Sequence, residues 1–171
     1  KMMKIFLKNN IALQLLSNLI FIFYIFCFST IILTFSFSLS TKMLFFLILL
    51  ICIASDIGGF VFGKTFKGPK LTKVSPNKTI SGVAGSLIFS SVLAIILIYF
   101  FNKSFDLNVA IIGLITSFGC QTGDLFFSLL KRKSSLKDTG NFLPGHGGIL
   151  DRIDGVLVGI PIGFFILVLI Y

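Results

Sequence analysis

The sequence predicts an all-α, polytopic helical membrane protein of about five transmembrane helices, with its functional site at their cytoplasmic ends. Three observations carry this. Hydrophobic residues make up 56% of the 171-residue chain, with 22 Phe, and mean hydropathy is +1.04, which leaves too few polar residues to coat a soluble globule. The apolar runs are continuous rather than alternating, and a backbone in hydrocarbon must satisfy its own hydrogen bonds, so helices are favoured over a barrel. Finally, the basic residues gather in short stretches between the runs.

The chain opens at Lys1 rather than Met, as expected of an incomplete or processed N-terminus. Lys1, Lys4 and Lys8 precede an apolar run over residues 11–39, interrupted only by uncharged polar residues such as Gln14, Asn18 and Ser29. That run is too long for the apolar core of a signal peptide. It also exceeds a bilayer core of about 30 Å, so it forms one tilted span or two short ones. Residues 1–42 are therefore assigned to an N-terminal membrane segment, and residues 43–171 to a second domain.

Within that domain a span is expected over residues 43–62, carrying Asp56 and the Gly58-Gly59 pair near its end. Residues 63–79 hold five lysines with Pro69 and Pro76 and read as a loop. Further spans are expected over 80–101, 107–130 and 153–171, with a short turn over 102–106. With residues 11–39 as a single span, thirteen of the fifteen basic residues fall on one side and only Lys42 and Lys103 on the other. By the positive-inside rule the thirteen lie in the cytoplasm.

Cys27, Cys52 and Cys120 all lie in apolar runs without Cys-x-x-Cys spacing, which argues against a disulfide framework or a zinc site. The net charge of +9 has no interleaved aromatic platform, which argues against nucleic acid. Anionic lipid head groups and nucleotide phosphates are the expected partners.

Chemistry concentrates in residues 128–154, S-L-L-K-R-K-S-S-L-K-D-T-G-N-F-L-P-G-H-G-G-I-L-D-R-I-D, which hold eight formal charges and the only histidine. The chain has six aspartates and no glutamate. An acid within a span costs about 2.5–3.5 kcal/mol on insertion scales, so Asp56 and Asp124 call for an explanation, of which an ion pair is the simplest. On a helix Asp124, Ser128 and Lys131 form one polar stripe, while Gly119 and Gly123 leave room for close approach of a backbone or ligand. The Pro144 to Gly148 run cannot continue a helix, and the next helix begins near it, offering unpaired N–H groups to a phosphate. Asp151 and Asp154 share one face of that helix's first turn, with Arg152 beside them. His146 is more often a hydrogen-bond donor in such a setting than a metal ligand. Carboxylates without thiols suit a hard cation such as Mg²⁺, and the surrounding lysines, arginines and glycine turn suit phosphates. Phosphoryl or nucleotidyl transfer at a membrane surface is the chemistry these residues favour.

At these residues the stretch resembles the signature of the phosphatidate cytidylyltransferases, in which S-x-x-K-R leads to K-D, a glycine and P-G-H-G-G-x-x-D-R-x-D. Ser128, Lys131, Arg132, Lys137, Asp138, Gly140, Pro144, Gly145, His146, Gly147, Gly148, Asp151, Arg152 and Asp154 stand at its positions. Upstream, Asp56, Gly63, Lys64, Ser75, Pro76, Lys78 and Thr79 are similar to a second family segment, and Ser81 departs from it where the family commonly has glutamate. The resemblance covers residues 43–171, while family members carry more N-terminal helices.

The resemblance implies a multi-pass enzyme of phospholipid synthesis in a bacterial inner membrane, with its site facing the cytoplasm. It would join CTP and phosphatidate into CDP-diacylglycerol and pyrophosphate, with one or two Mg²⁺ ions and a possible homodimer. The implied catalytic residues are Asp124, Lys131, Arg132, Lys137, Asp138, His146, Asp151 and Arg152. Asp124, Asp151 and Asp154 would hold metal, and Lys64, Ser75, Lys78, Ser128, Gly147 and Gly148 would bind the nucleotide. Two other readings remain open at this point: a CTP-dependent polyprenol or phytol kinase, and a non-catalytic membrane protein whose aspartates line a cavity.

Overall fold

A computed structural model describes residues 11–72, 75, 78–103, 106–133, 140, 148 and 150–170. Its helices are α1 (Ile11–Ser36), α2 (Leu39–Phe66), α3 (Ile80–Asn102), α4 (Asn108–Lys133) and α5 (Leu150–Ile170). All five are long and apolar enough to cross a membrane, and the protein is a multi-pass helical membrane protein. Residues 11–36 form a single helix rather than two short ones, and Leu39 already belongs to α2. At 26 residues α1 is roughly 39 Å long by the helical rise, enough to span with tilt. The chain divides into two compact units, Lys1–Lys42 and Met43–Tyr171.

In the first unit α1 is apolar on every side, and Leu15, Leu19, Ile22, Phe23, Phe26 and Leu33 are all exposed. Such a helix is at home in lipid rather than water. Its two threonines do not interrupt it, because Thr30 and Thr34 return their hydroxyls to the carbonyls of Cys27 and Ile31.

The second unit packs its helices through small residues, as expected where lipid removes the hydrophobic drive for association. At Gly58 of α2 an added Cβ would lie 2.6 Å from Phe89 Cβ and 2.8 Å from the Gly85 carbonyl of α3. Gly113 of α4 abuts Ser91 Cα of α3 in the same way, at 2.8 Å, and Gly123 of α4 meets the Asp154 carbonyl of α5 at 2.9 Å. Hydrogen bonds reinforce these seams: Ser55 and Ser117 join α2 to α4 at 2.8 Å, and the Ser90 hydroxyl donates to the Gly113 carbonyl at 3.3 Å. Leu47, Ile51, Ala94 and Val109 form an apolar core, with Leu97 and Ile98 packed against it.

The polar connections decide what the ends of the helices present. α2 runs past the expected boundary at residue 62 to Phe66, and Lys67 then takes a left-handed conformation, φ 43°, that turns the chain out of the helix. The following loop is pinned back on itself. Leu71 N–H donates to the Lys78 carbonyl (2.8 Å), and Ile80 N–H donates to the Pro69 carbonyl (3.0 Å). Thr79 caps α3, its extended backbone letting Oγ1 accept from Gly82 N–H at 3.1 Å. Ser81 stands beside it, with Oγ accepting from Gly68 N–H at 3.2 Å, so the position where the family commonly has glutamate here ties the loop to α3. At the far end of α3, Lys103 closes the helix in a left-handed conformation, φ 55°, and Asp106 Oδ1 accepts from Asn108 N–H as α4 begins.

Candidate active site

A cavity of about 400 Å³ opens where the C-terminal half of α2, the start of α3, the C-terminal half of α4 and the start of α5 meet. It is lined by Asp56, Gly59 and Phe60 of α2 and by Lys78, Thr79, Gly82 and Val83 at the head of α3. Gln121 and Asp124 of α4 and Asp151 and Asp154 of α5 complete it. Four of the six aspartates therefore face one space, although 95 residues separate the first of these aspartates, Asp56, from Asp151 in the chain.

The local geometry explains the convergence. Gly123 lets the α5 backbone touch α4, which sets Asp124 against the first turn of α5, where a Cβ on Gly155 would lie 3.7 Å from Asp124 Oδ1. The pinned loop ahead of α3 delivers Lys78, whose ammonium donates to Asp124 Oδ2. Lys131, two helical turns beyond Asp124, donates to Asp151 Oδ1 at 2.8 Å and approaches Asp154 Oδ2 at 3.4 Å. These three side chains are only 16%, 10% and 8% exposed, so the charges depend on one another for compensation. Asp151 Oδ2 also accepts from Gly148 N–H at 2.8 Å, and a carboxylate there suits the positive end of α5.

The structure thus brings together Asp124, Asp151, Asp154, Lys78 and Lys131 of the residues singled out from sequence. Gly148 adjoins them, with its N–H directed to Asp151 rather than outward. Ser75 supports the loop, its carbonyl accepting from Lys78 N–H at 3.1 Å, but it does not line the cavity. Ser128 is half-buried on α4 and also lies off the lining. Lys64 is exposed, 5.6 Å above the Phe60 ring, and Arg132 is exposed on the last turn of α4. Arg152 belongs to α5, where only its backbone is described. Lys137, Asp138, His146 and Gly147 lie outside the described residues.

Several cavity residues had no role assigned from the sequence, among them Gln121, Thr79 and Gly82. Gln121 sits three positions before Asp124, on the same face of α4 by helical spacing, which is the signal that points to it. Thr79 and Gly82 are cap residues whose place in the lining follows from the loop closure, and no local pattern announces that.

The donor set fits a hard cation. The cavity offers carboxylate oxygens and no thiol, and Mg²⁺ is usually held by one or two carboxylates with substrate phosphates and water completing the shell. Among the described residues no three carboxylates are grouped closely enough to hold a metal by themselves.

Comparison with known proteins identifies the family. Residues 2–170 match the cytidylyltransferase family. The chain is 39% identical over 136 residues to a phosphatidate cytidylyltransferase of Rickettsia felis, an alignment covering 72% of this chain and 59% of that protein. To the phosphatidate cytidylyltransferase of Staphylococcus haemolyticus it is 43% identical over 112 residues, covering 63% and 42% respectively. The corresponding enzyme of Mycobacterium leprae is 36% identical over 126 residues, covering 73% and 40%. The chain thus spans about half the length of the curated relatives it matches. With the matched segment running through all five helices and every aspartate of the cavity, the chain belongs to the cytidylyltransferase family.

Proposed function

We propose that this chain transfers the cytidylyl group of CTP to phosphatidate, giving CDP-diacylglycerol and pyrophosphate for phospholipid synthesis. The observation that carries the reading is the convergence in one cavity of carboxylates from α2, α4 and α5 with Lys78, two of those carboxylates being paired with Lys131 behind them. The relatives' shared description as phosphatidate cytidylyltransferases supports the choice of reaction.

A phosphate monoester has its second pKa near 6, so phosphatidate is already largely a dianionic nucleophile at neutral pH and needs no general base. One of its oxygens attacks the α-phosphorus of CTP, and the bond from that phosphorus to the β-bridging oxygen breaks, releasing pyrophosphate. The barrier is repulsion between polyanions, and cationic groups lower it. Lys78 and Lys131 have three donors each, so they can keep a carboxylate bond while donating to phosphate oxygens. Lys131 holds Asp151 and Asp154 in place, and Lys78 does the same for Asp124. Asp124, Asp151 and Asp154 would hold Mg²⁺, with Asp56 beside them in the lining. When bound, the ion would neutralise phosphate charge and align the reacting groups.

The charge distribution supports a cytoplasmic orientation, because the cavity lies at the helix ends that adjoin the lysine-rich stretch 63–79 and Lys131, Arg132 and Lys133 at the end of α4. Bacterial relatives support an inner-membrane location. The resemblance extends to a homodimer, which mass measurement in lipid nanodiscs tests. For the reaction itself, protein in nanodiscs supplied with Mg²⁺ and CTP should release pyrophosphate only when phosphatidate is present. Asp124→Asn and Asp151→Asn should each abolish release while leaving the protein folded. Unchanged release in both variants would overturn the assignment of these carboxylates.

A further inference from the structure

We infer that Gln121 reads the pyrimidine edge of the nucleotide, with Ser86 as the positioning residue that fixes its amide, so that an amino pyrimidine is accepted and an oxo pyrimidine is rejected. The inference rests on the nucleotidyl-transfer reading above and adds to it a residue that determines specificity.

The geometry begins at Ser86, which is fully buried on α3. Its hydroxyl has a single proton, donated to the Val83 carbonyl at 2.7 Å. The contact at 2.9 Å between Ser86 Oγ and the Gln121 amide must then be an N–H of Gln121 donating to Ser86. With the hydroxyl proton on the Val83 carbonyl, the amide presents Nε2 to Ser86 and turns Oε1 away from it. Gln121 is 9% exposed and lines the cavity, and its Oε1 has no hydrogen-bond partner among the described residues. It is not among the sealed buried atoms lacking a partner, so this acceptor is open to the cavity.

A fixed acceptor beside the remaining Nε2–H is complementary to cytosine, which offers its exocyclic amine as donor and ring N3 as acceptor. Uracil presents a carbonyl and an N–H at those two positions, so both contacts are reversed. Glutamine makes this type of bidentate contact with a base edge elsewhere, and a good pair discriminates by roughly 10- to 100-fold. Space and position agree. Gly59 lies opposite the amide, where an added Cβ would sit 3.7 Å from Gln121 Nε2 without touching anything closer. Gln121 is one helical turn from Asp124, on the side away from the charged end of α4, so a base at Gln121 leaves the phosphates beside Asp124 and Lys78.

Equilibrium binding of labelled CTP and UTP to the full chain in nanodiscs with Mg²⁺, run beside the transfer assay, tests this. The wild type should bind CTP about 10-fold or more tighter than UTP, and Gln121→Leu should bring the ratio close to one. Ser86→Ala, which frees the amide to turn over, should lower the same ratio with less loss of CTP binding. A purely structural role would weaken both nucleotides equally. If Gln121→Leu fails to fold, the ratio in Ser86→Ala decides. A wild type that binds both nucleotides alike, or a ratio unchanged in the variants, would overturn the inference while leaving cytidylyl transfer standing. A ratio that collapses as expected in a protein that transfers nothing would retain the base site and remove the proposed reaction.

Discussion

Lys78 and Asp124, 46 residues apart in the chain, form an ion pair that ties the loop ahead of α3 to the face of α4. Their side chains are 22% and 28% exposed, so the pair is accessible from the cavity rather than sealed in the bundle. It explains how a carboxylate within a span is tolerated, and it places an ammonium where an incoming phosphate can share it.

Substituting Lys78 with Met should therefore separate activity from stability. We expect kcat/KM for pyrophosphate release to fall about 100-fold, the usual scale for losing one cationic or hydrogen-bonding group aimed at transition-state charge. Thermal stability should fall less than on removing the Lys131 cation, because this pair is more exposed than the Lys131 pairs. Steady-state kinetics beside a thermal melt in nanodiscs makes the comparison, and Lys78→Arg should recover part of the activity.

The triad of Lys131, Asp151 and Asp154 should behave in the opposite way, because its side chains are more deeply buried. Lys131→Met leaves two carboxylates without their cation and should destabilise the fold by about 3 kcal/mol. Adding Asp151→Asn and Asp154→Asn should restore part of that stability, giving a non-additive cycle in the same melt.

Much of this arrangement was legible in the residues, for identifiable reasons. Five spans could be read because each apolar run is long and uniform, and Gly119 and Gly123 marked the face of α4 on which α5 packs. The convergence of Asp124, Asp151 and Asp154 followed from helical spacing and from the 27 residues between Asp124 and Asp151, enough for a helix end, a returning loop and a helix start. Less legible was the extension of α2 to Phe66, since Gly63 and Lys64 look like loop residues and only the turn at Lys67 ends the helix. The pairing of Leu71 with Lys78 and of Pro69 with Ile80 is tertiary in origin, and no spacing rule encodes it. Gln121 stood in view beside Asp124, but its meaning depends on Ser86, 35 residues away on another helix.

Close packing at Gly123 yields a third expectation. A Cβ there would lie 2.9 Å from both the Asp154 carbonyl and Val158 Cβ, so Gly123→Val must push α5 away from α4. Overpacking of this kind costs about 1–3 kcal/mol. Since Asp151 and Asp154 move with α5, transfer activity should be lost well below the melting transition, as activity measured across a temperature series would reveal.

Chelation supplies a fourth. If the cavity's carboxylates share a hard cation with substrate phosphates, as proposed, EDTA should stop transfer and added Mg²⁺ should restore it. Asp154→Asn removes one donor charge, so half-maximal activity should then require more Mg²⁺, read from a titration at saturating CTP. A titration identical to the wild type would take Asp154 out of the metal site.

The most direct test follows the fate of the α-phosphate. CTP labelled there is incubated with the protein in phosphatidate-containing nanodiscs with Mg²⁺, and the lipid and aqueous products are separated. Label should move into a CDP-linked lipid as unlabelled pyrophosphate appears in equal amount. Label retained in soluble CDP, with an unlabelled phosphate passed to an alcohol lipid, would instead identify a kinase and contradict cytidylyl transfer by this cavity.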